Sequence, residues 1–341
     1  MITVPGGTEL TEMPEPAATP DGVVVKVEAC GICGSDVHAV EHGFAAPGRI
    51  MGHEFSGTIV EVGKEVKGWQ VDQTVAVNPL GSCGSCYDCT HGLAFRCTSY
   101  PNLGLTAQGA YAEYTQVRAA QLVAFPEGVD LEIGSAAEPL AVAIAAVDLG
   151  NVTPGDTALV FGVGTIGLNV IAALRLAGAG QIVAVGRSPG RRAAAGTIGA
   201  DVVLDSRETD LVTWAADNKT QFASAYECSA STQGYEDSLK VLAPAGTFVE
   251  VALAGEPVTL DLRQLLGGGL RLAGSCAFGP AQYERAVAHL RAGRVDAARM
   301  ISERVGIDEL SDALVRLRHP GELVRVLVQP WRSGSAAHRG S

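Results

Sequence analysis

At 341 residues the chain exceeds what one ordinary core fills and reads as two domains, since chains divide at roughly 100–200 residues each. With 47% apolar and 18% charged residues and no low-complexity block, it is globular rather than disordered. Its net charge of −12 excludes a general nucleic-acid binder, which needs a basic surface to neutralise phosphates.

The first seven residues carry no basic stretch ahead of an apolar core, so no signal peptide is expected. The apolar run from Ala158 to Leu168 is interrupted by glycines and falls short of a membrane span, which needs about 20 residues. These features predict a cytoplasmic protein with no membrane partner. In that reducing setting the eight cysteines read as metal ligands or buried thiols ahead of disulfides.

Up to about residue 125, short apolar alternations at 23–28 and 55–62, punctuated by Gly, Pro and Asp, predict strands. Within this region Cys33-Gly34-Ser35-Asp36-Val37-His38 places a soft ligand, a hydroxyl, a carboxylate and an imidazole within six residues. Gly52-His53-Glu54 follows, and Glu138-Pro139-Leu140 lies far downstream. Each piece alone is a weak signal. Together Cys33, His53 and Glu138 offer the three protein ligands of a catalytic zinc whose fourth position stays open.

Between these pieces Cys83, Cys86, Cys89 and Cys97 follow the spacing C-x2-C-x2-C-x7-C. Four thiolates on a short glycine-rich loop can close a tetrahedral shell around a structural zinc, leaving no position for chemistry. Two disulfides or an iron–sulfur cluster are the alternatives, the first disfavoured by the compartment. Cys30, Cys228 and Cys276 read as small buried residues.

After Pro126 the pattern changes. Glu132 to Leu149 has helical spacing, and from Thr157 onward apolar strands alternate with helical stretches, as in a parallel α/β sheet. Strands are expected near 157–161, 181–186, 201–205, 223–228, 246–252 and 270–276, then a helix over 280–292 and a strand over 323–328. The last ten residues read as a frayed tail.

The first of these strands runs into Gly162-Val163-Gly164-Thr165-Ile166-Gly167 and then a helix, which is the context a dinucleotide fingerprint requires. Gly162 permits the tight turn, Gly164 lets backbone approach a pyrophosphate, and Gly167 lets the helix pack on the strand. Thr165 and Ile166 open the helix whose amino terminus receives the anion. The second strand ends in Gly186, where an NAD site carries Asp or Glu for the ribose 2′-hydroxyl. Arg187, Ser188 and Arg192 follow, and guanidinium groups can grip a 2′-phosphate, so NADP is expected over NAD. The alternative is a solvated basic helix start with no cofactor preference.

Taken in order, these motifs resemble the zinc-containing medium-chain dehydrogenase/reductase superfamily, nearest its polyol, butanediol and threonine dehydrogenase branch. The resemblance also rests on Gly109-Ala110-Tyr111-Ala112-Glu113-Tyr114 and covers the chain to about Gln329. It implies a GroES-like β-barrel catalytic domain over 1–141 and 278–330 and a Rossmann domain over 142–277, with a flexible tail at 331–341. It implies two zinc ions and a nicotinamide cofactor, with the active site in the cleft between domains. The reaction implied is hydride transfer between a secondary alcohol (polyol, diol or amino alcohol) and its ketone. By the same resemblance Glu54 is the metal's acidic neighbour, Asp36 orients the histidine ligand, and Ser35 and His38 form a proton relay. Residues 268–275 resemble an edge strand that pairs across a homodimer, alone or within a homotetramer. A zinc-independent reductase of activated double bonds and a non-catalytic relative stand as alternatives. Phe44, Leu103 and Phe278 are candidates to line the substrate site.

Overall fold

The computed structural model describes residues 1–252 and 257–332; most of the expected tail at 331–341 lies outside the described residues. The chain forms two compact units, one from Met1–Glu138 with Gly279–Ser341 and the other from Pro139–Phe278. Where divisions were expected after residues 141 and 277, the chain crosses between units after Glu138 and after Phe278.

The first unit opens with a hairpin of β1 (Ile2–Val4) and β2 (Gly7–Glu9). Strand β3 (Gly22–Gly31) is its spine. Val23, Val25, Val27 and Ala29 are fully buried and Val24 nearly so, while Lys26 and Glu28 between them stay half-buried, in keeping with the alternation. It pairs antiparallel with β4 (Glu54–Val62), and β5 (Thr74–Val77) continues the sheet. Strand β6 (Tyr114–Arg118) also pairs with β3, and β7 (Leu122–Ala124) pairs with β5. Helix α1 (Gly34–Glu41) leaves the end of β3, and the short α2 (Tyr87–Thr90) lies in the cysteine loop. Two helices follow, α3 (Leu131–Gly134) and α4 (Ala137–Gly150). The segment Leu131–Gly150 is in fact long and apolar enough to cross a bilayer, but 72% of it is buried within the protein, which marks a core helix.

The second unit is a six-stranded parallel sheet. Its strands are β8 (Thr157–Phe161), β9 (Gln181–Gly186), β10 (Val202–Asp205), β11 (Phe222–Glu227), β12 (Leu242–Glu250) and β13 (Arg271–Gly274). Helices α5 (Thr165–Ala177), α6 (Pro189–Ile198), α7 (Leu211–Asp217), α8 (Thr232–Lys240) and α9 (Leu262–Gly268) connect them. The spatial order β10-β9-β8-β11-β12-β13 is the doubly wound order 3-2-1-4-5-6, whose direction reverses between β8 and β11. Ligands bind at that switch point, beyond the carboxyl ends of the strands.

The chain then returns to the first unit through α10 (Pro280–Arg291), β14 (Ile301–Val305), α11 (Leu310–Arg316) and β15 (Arg325–Val328). This completes a seven-stranded sheet, β14-β15-β3-β4-β5-β7, with β6 on β3. Gly31, the last residue of β3, therefore lies between Glu54 of β4 and Leu327 of β15. That junction is where the polar residues of the first unit meet.

Candidate active site, metal centres and cofactor site

Cys33 caps α1, and the Asp36 carboxylate reaches back to accept its amide at 3.1 Å, which fixes the helix start. The same carboxylate is 1% exposed and accepts the Tyr111 hydroxyl at 2.6 Å. Its other oxygen lies 3.5 Å from His53 Nδ1, too long for a strong hydrogen bond, and that buried nitrogen has no closer partner. This geometry turns Nε2 of His53 away from Asp36, as in a carboxylate–histidine–metal arrangement. Burial opposes a charged His53 ring, but the Asp36 carboxylate more than offsets it, and the ring's pKa stands well above the ordinary range. Gly52 makes the approach possible. It holds φ +88°, and a Cβ there would press on the Tyr111 ring at 2.7 Å.

The ligand atoms of Cys33, His53 and Glu54 lie within 4.8 Å of one another. This set differs from the expected one by a single member: Glu54 stands inside it and Glu138 outside. Glu54 is held by Arg325, whose Nη2 lies 3.0 Å from its carboxylate and also donates to the Ser135 carbonyl at 2.7 Å. Both ends of this ion pair are almost fully buried. Glu138 is buried close by. Burial pushes its pKa up to about 8, with His53 pulling down and Glu54 pushing up. Ser35 and His38 lie exposed on α1, one helical turn apart.

In the cysteine loop the four sulfurs lie within 4.8 Å of one another, and Cys83 and Cys89 Sγ are 3.9 Å apart. Two sulfurs on one tetrahedral zinc, each at about 2.3 Å, stand about 3.8 Å apart. The Cys86 amide donates to Cys83 Sγ at 3.3 Å and the Cys89 amide to Cys86 Sγ at 3.5 Å, which favours thiolates. The Ser85 donors lead in pulling the Cys83 thiol down to about 5. All described cysteines are free thiols, so this loop carries no disulfide. Of the three cysteines expected to be buried, only Cys30 is; Cys228 is half-buried, and Cys276 is exposed because it leaves the edge strand β13. Among the candidate lining residues, Leu103 and Phe278 are core, and Phe44 is 78% exposed.

In the second unit the glycine turn joins β8 to α5. Gly162 holds φ +100°, and a Cβ there would press on the Ser229 amide at 2.8 Å. A Cβ at Gly164 would face open space, with Arg191 Nη1 its nearest neighbour at 4.0 Å, and as the cap of α5 Gly164 offers no side chain to the first-turn amides. At Gly167 it would collide with the Gly162 carbonyl. Thr165 and Ile166 form the first turn of α5, where amides and helix dipole favour an anion.

Arg187 is exposed just beyond β9. The Ser188 hydroxyl caps α6 by accepting the Arg191 amide. Arg192 forms an ion pair with Asp205, and its guanidinium also donates to the Arg187 carbonyl at 3.2 Å. Asp205 was not anticipated from the sequence. It ends β10 directly beside Gly186 and is gripped bidentately by Arg207, whose donors, ahead of Arg192, hold its carboxyl well below the usual carboxylate range. A side chain at position 186 itself would press on the Val163 side chain, which would have to move to admit an acid there.

Residues 19–127 match the family of alcohol dehydrogenase GroES-like domains and residues 165–292 that of zinc-binding dehydrogenases. A sorbitol dehydrogenase from Halalkalibacterium halodurans is 29% identical, over 95% of this chain and 96% of that protein. An L-threonine 3-dehydrogenase from Bacillus velezensis is 30% identical, with the same coverage. A crystal structure from Sinorhizobium meliloti, described as a zinc-binding dehydrogenase bound to NADP, is 31% identical. It covers 94% of each chain with a TM-score of 0.86.

Proposed function

Because the chain belongs to the zinc-type alcohol dehydrogenases of the medium-chain superfamily and interconverts secondary alcohols and ketones, we propose how its own residues divide that work. The observation that carries the reading is the convergence of Cys33, His53 and Glu54 at the Gly31 junction, with Glu138 buried beside them. Cys33 and His53 hold the catalytic zinc, and Glu138 or Glu54 completes its protein ligands. The donor set fits: a thiol, an imidazole and a carboxylate are zinc ligands, and His53 Nδ1 lies toward the Asp36 carboxylate. When bound there, zinc supplies Lewis-acid polarisation of the substrate oxygen. Asp36 orients His53, and Arg325 restrains Glu54. Ser35 takes the hydroxyl proton of the substrate and His38 delivers it to solvent.

The sulfurs of Cys83, Cys86, Cys89 and Cys97 hold a second, structural zinc, for which their placement within 4.8 Å of one another is suited. In the second unit Gly162, Gly164 and Gly167 shape the pyrophosphate turn, and Thr165 and Ile166 present first-turn amides. NADP is preferred. Arg192 and Arg207 pair with the single carboxylate of Asp205, Arg187 is exposed just beyond β9, and the Sinorhizobium relative was crystallised with NADP. The substrate class is a polyol, a diol or an amino alcohol, in keeping with the sorbitol and threonine dehydrogenases among its relatives. Strand β13 is an edge strand in which Leu272 is 43% exposed, and Leu266 on the preceding helix α9 is 85% exposed. Such an edge is covered by pairing with a second copy, giving a homodimer or a dimer of dimers.

The test is NADPH formation with a panel of secondary alcohols, in wild type and Ser35→Ala. Turnover with a secondary polyol, diol or amino alcohol, lowered roughly 10²–10⁴-fold by the substitution, supports the reading. Full activity in Ser35→Ala removes the relay from it.

A further inference from the structure

The last turn of helix α1 and its capping residue His42 carry a set of ligating side chains that the two zinc sites leave unused. His38 and His42 are four residues apart and Glu41 lies three after His38, spacings that bring side chains together on one helical face. All three are exposed. Their ligand atoms, one from each residue, lie within 4.8 Å of one another. The two Nδ1 atoms are 3.3 Å apart. Two nitrogens at zinc-ligand distances of about 2.0–2.1 Å, subtending a tetrahedral angle, stand about 3.3–3.4 Å apart. The imidazole pair already has the separation one ion requires.

The second imidazole is also braced. The His42 ring stacks on Phe44 at 5.6 Å with planes 12° apart. Holding the ring this way reduces the entropy lost when an ion binds. Two imidazoles and one carboxylate suit zinc, nickel or copper, whereas calcium and magnesium prefer oxygen ligands throughout. Because the three groups face solvent, the remaining positions are open to water.

We propose that His38, Glu41 and His42 form a third, surface site for a transition-metal ion, and that its occupation withdraws His38 from the proton relay. The metal takes the imidazole lone pair that otherwise accepts the proton, so zinc beyond what the two resident sites hold inhibits turnover. The binding half stands on the α1 geometry alone; the inhibitory half rests on the relay role given to His38 above.

The experiment titrates zinc chloride into the zinc-loaded holoenzyme, followed by calorimetry and, in parallel, by NADPH formation. Wild type is compared with His42→Ala and Glu41→Gln, two surface residues outside the catalytic machinery. Wild type should take up one further ion. His42→Ala should weaken that binding by roughly tenfold or more and Glu41→Gln by less, with basal activity kept in both. The zinc concentration that inhibits should shift in step with binding. No additional uptake by wild type, or equal uptake in His42→Ala, overturns the site. Uptake that His42→Ala abolishes, with no inhibition of wild type at any zinc concentration, overturns the inhibitory half and the relay role of His38 with it.

Discussion

Arg325 offers the sharpest test of how the first unit holds its acidic centre. Replacing it with Met keeps most of the side-chain volume and removes the guanidinium. Arg325 and Glu54 are 1% and 2% exposed, with donor and acceptor 3.0 Å apart, and the same Nη2 satisfies the Ser135 carbonyl. In Arg325→Met the Glu54 charge is buried without a partner. Breaking a buried pair from one side costs about 3–5 kcal/mol, far more than an exposed pair. At about 2–4 °C per kcal/mol for domains of 150–250 residues, the melting transition of the first unit should fall by roughly 6–20 °C. Differential scanning calorimetry at pH 7, with the ion of the Cys33 and His53 centre withdrawn by a mild chelator, measures this directly. Glu54→Gln combined with Arg325→Met should recover most of the loss, because no unpaired charge is then left behind. A loss below about 1 kcal/mol in the single variant, or a double variant no better than the single, refutes the argument.

Other substitutions separate the remaining roles. Cys33→Ala should abolish turnover and leave the melting temperature nearly unchanged, whereas Cys86→Ala should lower it markedly, since metal bound by the four-cysteine loop is folding free energy; calorimetry beside NADPH formation distinguishes them. Arg187→Ala removes a charge-assisted contact worth about 1.5–3 kcal/mol and should weaken NADPH by roughly 10–150-fold and NADH much less, read by fluorescence titration. Equal losses for both cofactors would contradict an Arg187–phosphate contact. Burial pushes Glu250 up to about 7, against the Tyr235 hydroxyl, which pulls it down. A raised carboxyl pKa contributes stability at low pH that is lost as pH rises from about 4.5 to about 7. Glu250→Gln should therefore flatten this dependence and melt higher than wild type above pH 7; parallel melting curves across that range would refute it.

What could be read from the sequence is what short-range patterns encode. The cysteine spacing and the glycine turn each lie within about twenty residues, and their backbone demands are local. Gly162, Gly164 and Gly167 meet a tight turn, an open approach and a close helix contact in that order. The strands of the second unit announce themselves because a parallel sheet buried on both faces leaves continuous apolar runs. Arg325 could not be found this way. Its partner Glu54 is 271 residues away, and only the pairing of β15 with β3 and of β3 with β4 brings them together. Asp205 escaped for a related reason: the acid nearest Gly186 comes from the neighbouring strand rather than from its own. Tyr111 belonged to a recognisable motif, but its hydrogen bond to Asp36 depends on the packing around Gly52. The same limit applies to Glu54 and Glu138, since sequence order carries no information on which carboxylate lies within reach of Cys33 and His53.

The central claim is that the Cys33 and His53 centre makes this chain a zinc-dependent dehydrogenase. It is tested most directly by following NADPH formation from a secondary alcohol while zinc is withdrawn by a mild chelator and counted in the same samples. The open centre should lose its ion before the closed four-cysteine loop does. Activity should fall as bound zinc drops from two ions per chain to one, with the fold intact, and return when zinc is restored. Full turnover with a single zinc per chain would contradict the account.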